Sequence, residues 1–175
     1  MIKLNGYPLL GLCLASVSPG APAQGAHVHG AGELRVAVEK DHLAVEFRSP
    51  LNNLVGFEHA PRTDAQRAAV KAMTAKLNRP DALLRLPKAA ACKATRVQIE
   101  SPFDAPKPAR KGHDDEHTEL TATFRFDCAS MGKLDSIEVA IFEAFPRTTA
   151  IQAEIIGPRG QSAATLTPKR RTIRL

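Results

Sequence analysis

The sequence predicts an α+β domain, mostly antiparallel β-sheet with one main helix at about residues 63–78 and a disulfide-fastened surface loop. Three observations lead there. Several segments alternate apolar and polar residues with period two, the pattern of half-buried strands. One segment repeats its apolar residues every four positions behind a capping signature. Two cysteines flank a stretch rich in proline and charge, Cys92 and Cys128.

The chain has 175 residues, 43% of them apolar and 24% charged, with a formal net charge of +6. That is one domain's length of chain with enough apolar residue for a packed core. Trp is absent and Tyr occurs once, too few aromatics for a base-stacking surface. No apolar run reaches the roughly 18–20 residues of a membrane span. Neither GxGxxG nor GxxxxGK[ST] occurs, which disfavours the nucleotide folds those loops announce.

Residues 1–23 read as a cleaved secretory signal. Lys3 supplies the charge, residues 7–17 the short apolar middle, and Ser18-Pro19-Gly20-Ala21-Pro22-Ala23 the small-residue cleavage site. Cleavage after Ala23 is the first choice and after Ala26 the second. Residues 24–175 then form a single domain. Cys13 leaves with the signal, and an even pair of cysteines in an exported chain reads as a disulfide. Two buried free thiols are the alternative.

Residues 33–38 and 42–47 alternate around Glu39-Lys40-Asp41, a hairpin whose buried face holds Leu34, Val36, Val38, Leu43, Val45 and Phe47. An irregular stretch follows from Ser49-Pro50 to Pro61. Thr63-Asp64-Ala65-Gln66 opens the helix, with Ala65, Ala69, Met73 and Leu77 as its stripe, and Pro80 closes it. A helical turn is possible at residues 81–86. Strand patterning returns from Cys92 through Glu100. Residues 101–117 hold three prolines and two charge clusters, and are read as a flexible surface loop. Leu120, Ala122, Phe124 and Phe126 alternate on the next strand, which ends at Cys128. Residues 137–142, 150–156 and 163–166 supply further strands, the last two joined by Gly157-Pro158-Arg159-Gly160, and residues 172–175 a final short edge. The two cysteines are placed so as to fasten the base of the loop.

The six histidines carry the candidate chemistry. His27 and His29 fall on one side of an extended segment. His113, Asp114, Asp115, Glu116 and His117 form an acidic cluster within the loop, and Glu58-His59 adds a pair on a Pro-bounded segment. Imidazole and carboxylate are natural ligands of Zn²⁺, which takes about four of them; the same groups also take copper or nickel. Each set has a plainer reading: a solvated terminus, a charged loop, and a His satisfied by hydrogen bonds at a loop–helix junction. His42, in a hairpin turn, is assigned solvation alone. No HExxH or GxSxG motif is present, and a Pro-flanked loop is a poor mount for a catalytic metal. The basic clusters Lys107, Arg110, Lys111 and Lys169, Arg170, Arg171, Arg174 fit an anionic envelope surface or simple solubility.

Taken together, Ala26-His27-Val28-His29-Gly30, Ser49-Pro50, Gly56-Phe57-Glu58-His59-Ala60-Pro61, the paired cysteines around an acidic/His loop, Phe142-Glu143-Ala144-Phe145-Pro146 and Gly160-Gln161 resemble the ZrgA-type periplasmic zinc-uptake proteins of Gram-negative bacteria. The resemblance spans essentially all of residues 24–175. It implies a non-enzymatic periplasmic protein that binds zinc and supports import through a transporter of the inner membrane, with no nucleic-acid partner and no membrane span after signal cleavage. His27, His29, Glu58 and His59 match its motifs. Residues 113–117 stand where relatives often carry a longer His/Asp-rich tract. A rival reading is an envelope adaptor docking a partner through a β-edge and the basic tail; a metal-dependent hydrolase is a third.

Overall fold

A computed structural model describes residues 30–103 and 119–175. Strands β1 (Ala31–Val38) and β2 (His42–Pro50) form the first hairpin. Helix α1 (Leu51–Val55) follows directly, then α2 (Asp64–Leu77) and α3 (Pro80–Leu83). After β3 (Leu84–Arg85), the long strands β4 (Cys92–Glu100) and β5 (Glu119–Cys128) flank the loop. The chain closes with β6 (Ser136–Val139), α4 (Ile141–Ala144), β7 (Ala150–Gly157), β8 (Gly160–Leu166) and β9 (Thr172–Arg174).

The strands make two sheets, in the orders β4-β5-β2-β1-β7-β8 and β3-β6-β9. All pairings are antiparallel except β1 with β7. Register explains the core of the large sheet. Ala153, Leu34, Phe47 and Ala122 fall in one cross-strand row, and Ile155, Val36, Val45 and Phe124 in the next. Alanines end the first row and bulkier Ile155 and Phe124 end the second, so adjacent rows complement each other in size. One contiguous core joins these residues to Met73 and Leu77 of α2 and to Leu84, Ile137, Val139 and Ile173 of the small sheet. The helices and the small sheet thus cover one face of the large sheet. The other face carries Glu33, Arg35, Glu46, Arg48 and Glu154, laced by ion pairs of 3.4–3.9 Å.

The α+β class, the main helix and the strands β1, β2, β4, β5, β7, β8 and β9 stand where the sequence places them. The helical turn expected over residues 81–86 is α3 only to Leu83, with Leu84–Arg85 forming the unexpected β3. The helix carries a complete capping box, with the Thr63 hydroxyl accepting from the Gln66 N–H and the Gln66 side chain accepting from the Thr63 N–H. Only its C-terminal half docks: Met73 and Leu77 are buried, whereas Ala65 is exposed. An alanine stripe offers too little apolar area to hold the first turns down.

Three further expectations need correction. The stretch after Pro50 is not irregular throughout, since α1 forms at once. Residues 137–142 do not run as one strand; β6 stops at Val139 and Ile141-Phe142 begin α4. The disulfide joins Cys92 to Cys128 across 36 residues, but the two lie opposite each other at the start of β4 and the end of β5. The loop leaves from the other end of that hairpin, roughly 26 Å away at ~3.3 Å per residue. The crosslink fastens the hairpin that carries the loop, not the loop's base.

Candidate metal-binding end of the sheet

Antiparallel pairing fixes which chain segments meet. β1, β5 and β7 begin, and β2 and β4 end, at the same end of the large sheet: Pro50 pairs with Glu119, Glu100 with Thr121, and Ala31 with Ala150. The segments carrying candidate ligands all leave from there. His29 immediately precedes Gly30, Glu58-His59 follow α1, and the loop departs after Phe103 and returns at Glu119.

Three local devices hold these departures in place. The first is Asn53, buried at 2% exposure. Its Oδ1 accepts from the Gly30 N–H at 2.8 Å, and its Nδ2 donates to the Ala31 carbonyl at 2.8 Å and the Ser49 hydroxyl at 3.2 Å. The Gly30 carbonyl in turn accepts from the Thr149 N–H at 2.8 Å. Gly30 has φ +86°, and a Cβ there would stand 2.6 Å from Thr149 Oγ1. Only glycine meets both conditions without strain.

The second device is the end of α1. Gly56 terminates it in the left-handed region at φ +88°, with its N–H donating to the Asn52 carbonyl at 3.0 Å, an arrangement that favours glycine. The Arg147 guanidinium lies against its backbone, within 2.9 Å of where a Cβ would stand. The turn leads into Phe57, Glu58 and His59, of which the first two are half-buried and His59 is exposed.

The third device is a run of stacked rings. Phe57 stacks on His59 at 5.3 Å between centroids and on Phe103 at 6.4 Å. His59 is therefore one ring away from the point where the loop leaves the sheet. At the returning end, Glu119 accepts from Arg48 at 2.9 Å.

His59 is exposed and its Nδ1–H donates to the Ala60 carbonyl at 2.9 Å. A carbonyl can only accept, so Nδ1 is the donor in this contact, and the neutral ring then carries its lone pair on Nε2. That is the tautomer a metal ligand needs, fixed by its outer partner. Glu58 is half-buried beside it. Among the described residues, no group of three or more His, Cys, Asp or Glu is assembled as a metal cluster. His27, His29, His113, Asp114, Asp115, Glu116 and His117 lie outside the described residues. Glu58 and His59 alone of the candidate ligands are placed.

Elsewhere the structure reassigns two expectations. His42 is mostly buried and its Nδ1 pairs with Asp41 Oδ1 at 2.8 Å; that hydrogen bond holds the Asp41 carboxyl below the usual aspartate range. Arg171 is not a free member of a basic patch. It joins Arg85 around two carboxylates, with Glu138 Oε1 at 2.8 Å from Arg171 and 2.9 Å from Arg85. Hydrogen bonds from Arg85 first, then from Arg171, hold the Glu143 carboxyl below the ordinary glutamate range. Lys107, Arg110 and Lys111 lie outside the described residues.

Asn53, Phe103 and Arg147 were not among the residues singled out from the sequence. A buried Asn and an exposed one look alike in a one-dimensional pattern, and the ring run joins positions from two distant segments.

The molecule is thus an α+β domain whose loops and turns at one end of a sheet, rather than the sheet itself, bear the candidate ligands. No helix among the described residues is long and apolar enough to cross a membrane. The chain belongs to the ZrgA family of zinc uptake proteins, whose family model matches residues 26–175. This is a family of uptake proteins, not an enzyme family. No curated protein gives a significant match to the chain.

Proposed function

We infer that the protein captures Zn²⁺ in the periplasm and hands it to a zinc transporter of the inner membrane. Zinc is its cargo, held by His59 and Glu58 together with His27, His29 and the acidic cluster of residues 113–117. The observation that carries the reading is the common origin of these segments. Gly30 is clamped by Asn53, and His59 and the loop's first residues share one stack through Phe57 and Phe103. The flanks of these segments, Gly30, Phe103 and Glu119, belong to the same end of the large sheet, and ligands attached to one end of one sheet have a raised effective concentration for one another. Zinc's preference for about four N and O ligands is then met by pooling two or more segments. Export rests on residues 1–23 and transfer on the family's role in zinc uptake.

Calorimetric titration of Zn²⁺ into the metal-stripped protein tests this, with His59→Ala, His27→Ala/His29→Ala and His113→Ala/His117→Ala beside the parent. One saturable site is expected. Each variant should weaken it at least tenfold, the range that loss of even an outer-shell partner reaches (~10–100-fold). Unchanged affinity in all three variants removes the assignment, and absence of saturable binding removes zinc capture altogether and returns the adaptor reading.

A further inference from the structure

We propose that β8 is a self-pairing edge, through which two copies of the chain join their large sheets into one continuous sheet. The large sheet ends in β4 on one side and β8 on the other, and the two edges are built differently. β4 carries exposed Lys93, Arg96 and Glu100 and a bulge between Ala94 and Arg96, and α3 lies beside it across a groove of about 460 Å³. Charges, bulges and a covering helix are the standard protections of an edge. Among the described residues β8 has none of them: Gly160-Gln161-Ser162-Ala163-Ala164-Thr165-Leu166 is uncharged, free of proline and unbulged in its register with β7. Its residues 160–163 and 165 are exposed.

The direction of its free groups follows from the ladder. The Ala150 N–H donates to Gly30 ahead of β1, so alternation turns Ile151, Ala153 and Ile155 toward β8. They bond their register partners Leu166, Ala164 and Ser162. The N–H and C=O groups of Gln161, Ala163 and Thr165 therefore point away from the sheet.

A two-fold axis through Ala163 matches these groups to themselves. Ala163 faces the second copy's Ala163, and Gln161 faces the second copy's Thr165, each as a hydrogen-bonded antiparallel pair. No charged side chain of β8 opposes another, since the strand has none, and the small side chains let the backbones approach. A second copy fits better than an unrelated strand because the match needs no sequence but this one. The pairing is independent of the zinc site at the ligand-bearing end.

Sedimentation velocity over roughly three decades of protein concentration tests it, on the protein as the cell processes it, with Ala163→Pro and Ala163→Lys. Proline at 163 removes an outward donor and no β7–β8 bond. Lysine there sets two like charges across the axis. The parent should rise to twice the monomer mass, and both variants should stay monomeric with unchanged circular dichroism. If the proline variant fails to fold, the lysine variant decides alone. A parent that stays monomeric throughout, or a folded variant that dimerises like it, overturns the proposal.

Discussion

Asn53 shows how much one buried polar side chain holds. Its replacement by Ala leaves the Gly30 N–H and the Ala31 carbonyl without the partner they have inside the fold. Unmet buried groups of this kind cost about 1–3 kcal/mol each. We expect a loss of about 2–3 kcal/mol, a drop in melting temperature of roughly 5–10 °C at the ~2–4 °C per kcal/mol of a domain this size. The same change should uncouple His27 and His29 from the zinc site. In an Asn53→Ala background, removing both imidazoles should cost less zinc affinity than it does in the parent; full additivity would count against the clamp's role. Glu143 makes a second residue-scale prediction, in pH. Its folded carboxyl lies below the ordinary value, so its stabilising contribution is complete above about pH 4.3, the unfolded value, and is lost as pH falls through the lower folded value. Glu143→Gln should lower the melting temperature at neutral pH, and the gap to the parent should close as the solution is acidified below the carboxylate range. A gap that stays constant with pH would mean the Arg85–Glu143–Arg171 contacts carry no charge-dependent stability.

Elements with a repeating pattern were legible and elements without one were not. The β1–β2 hairpin, β5 and β7 alternate cleanly because one face is buried and the other solvated. The start of α2 was legible because a capping box is a local chemical signature. α1 and α4, of five and four residues, are too short for an apolar period to declare itself. α1 also begins behind a proline, which reads as a break until the helix after it is seen. The disulfide partners were legible and their place was not, because strand direction decides which end of a hairpin a cysteine occupies. That placement carries a consequence. Replacing Cys92 and Cys128 by Ser frees a loop of 36 residues and should lower stability by roughly 4 kcal/mol in the chain-entropy model. Since the crosslink sits at the end of the sheet remote from Gly30, His59 and Phe103, the folded variant should keep the parent's zinc affinity. A large loss of affinity in a folded Cys92→Ser/Cys128→Ser protein would show that the loop's position depends on the far end of its hairpin.

At the scale of the whole molecule, the question is whether the candidate ligands act as one site or as a local cluster. Residue types marked all of them in the sequence, but spacing along the chain leaves residues 27–29, 58–59 and 113–117 far apart. Only the strand order shows that their flanks share one end of the sheet. The two possibilities differ in what zinc does to folding. A cluster made by residues 113–117 alone is contiguous and offers the same ligands in the unfolded chain, so zinc would bind both states and stabilise neither strongly. A site pooled from segments that only the fold brings together binds the native state alone. Free zinc at about a hundred times its dissociation constant should then add about 2.7 kcal/mol, a rise of roughly 5–10 °C in melting temperature at ~2–4 °C per kcal/mol. Phe57→Ala sharpens the test because it removes no ligand. It cuts the stack that joins His59 to the loop's departure at Phe103, and should reduce both the affinity and the thermal shift. A shift that survives Phe57→Ala and His59→Ala but vanishes with His113→Ala/His117→Ala would place zinc in the loop alone, leaving the rest of the sheet's end as scaffold.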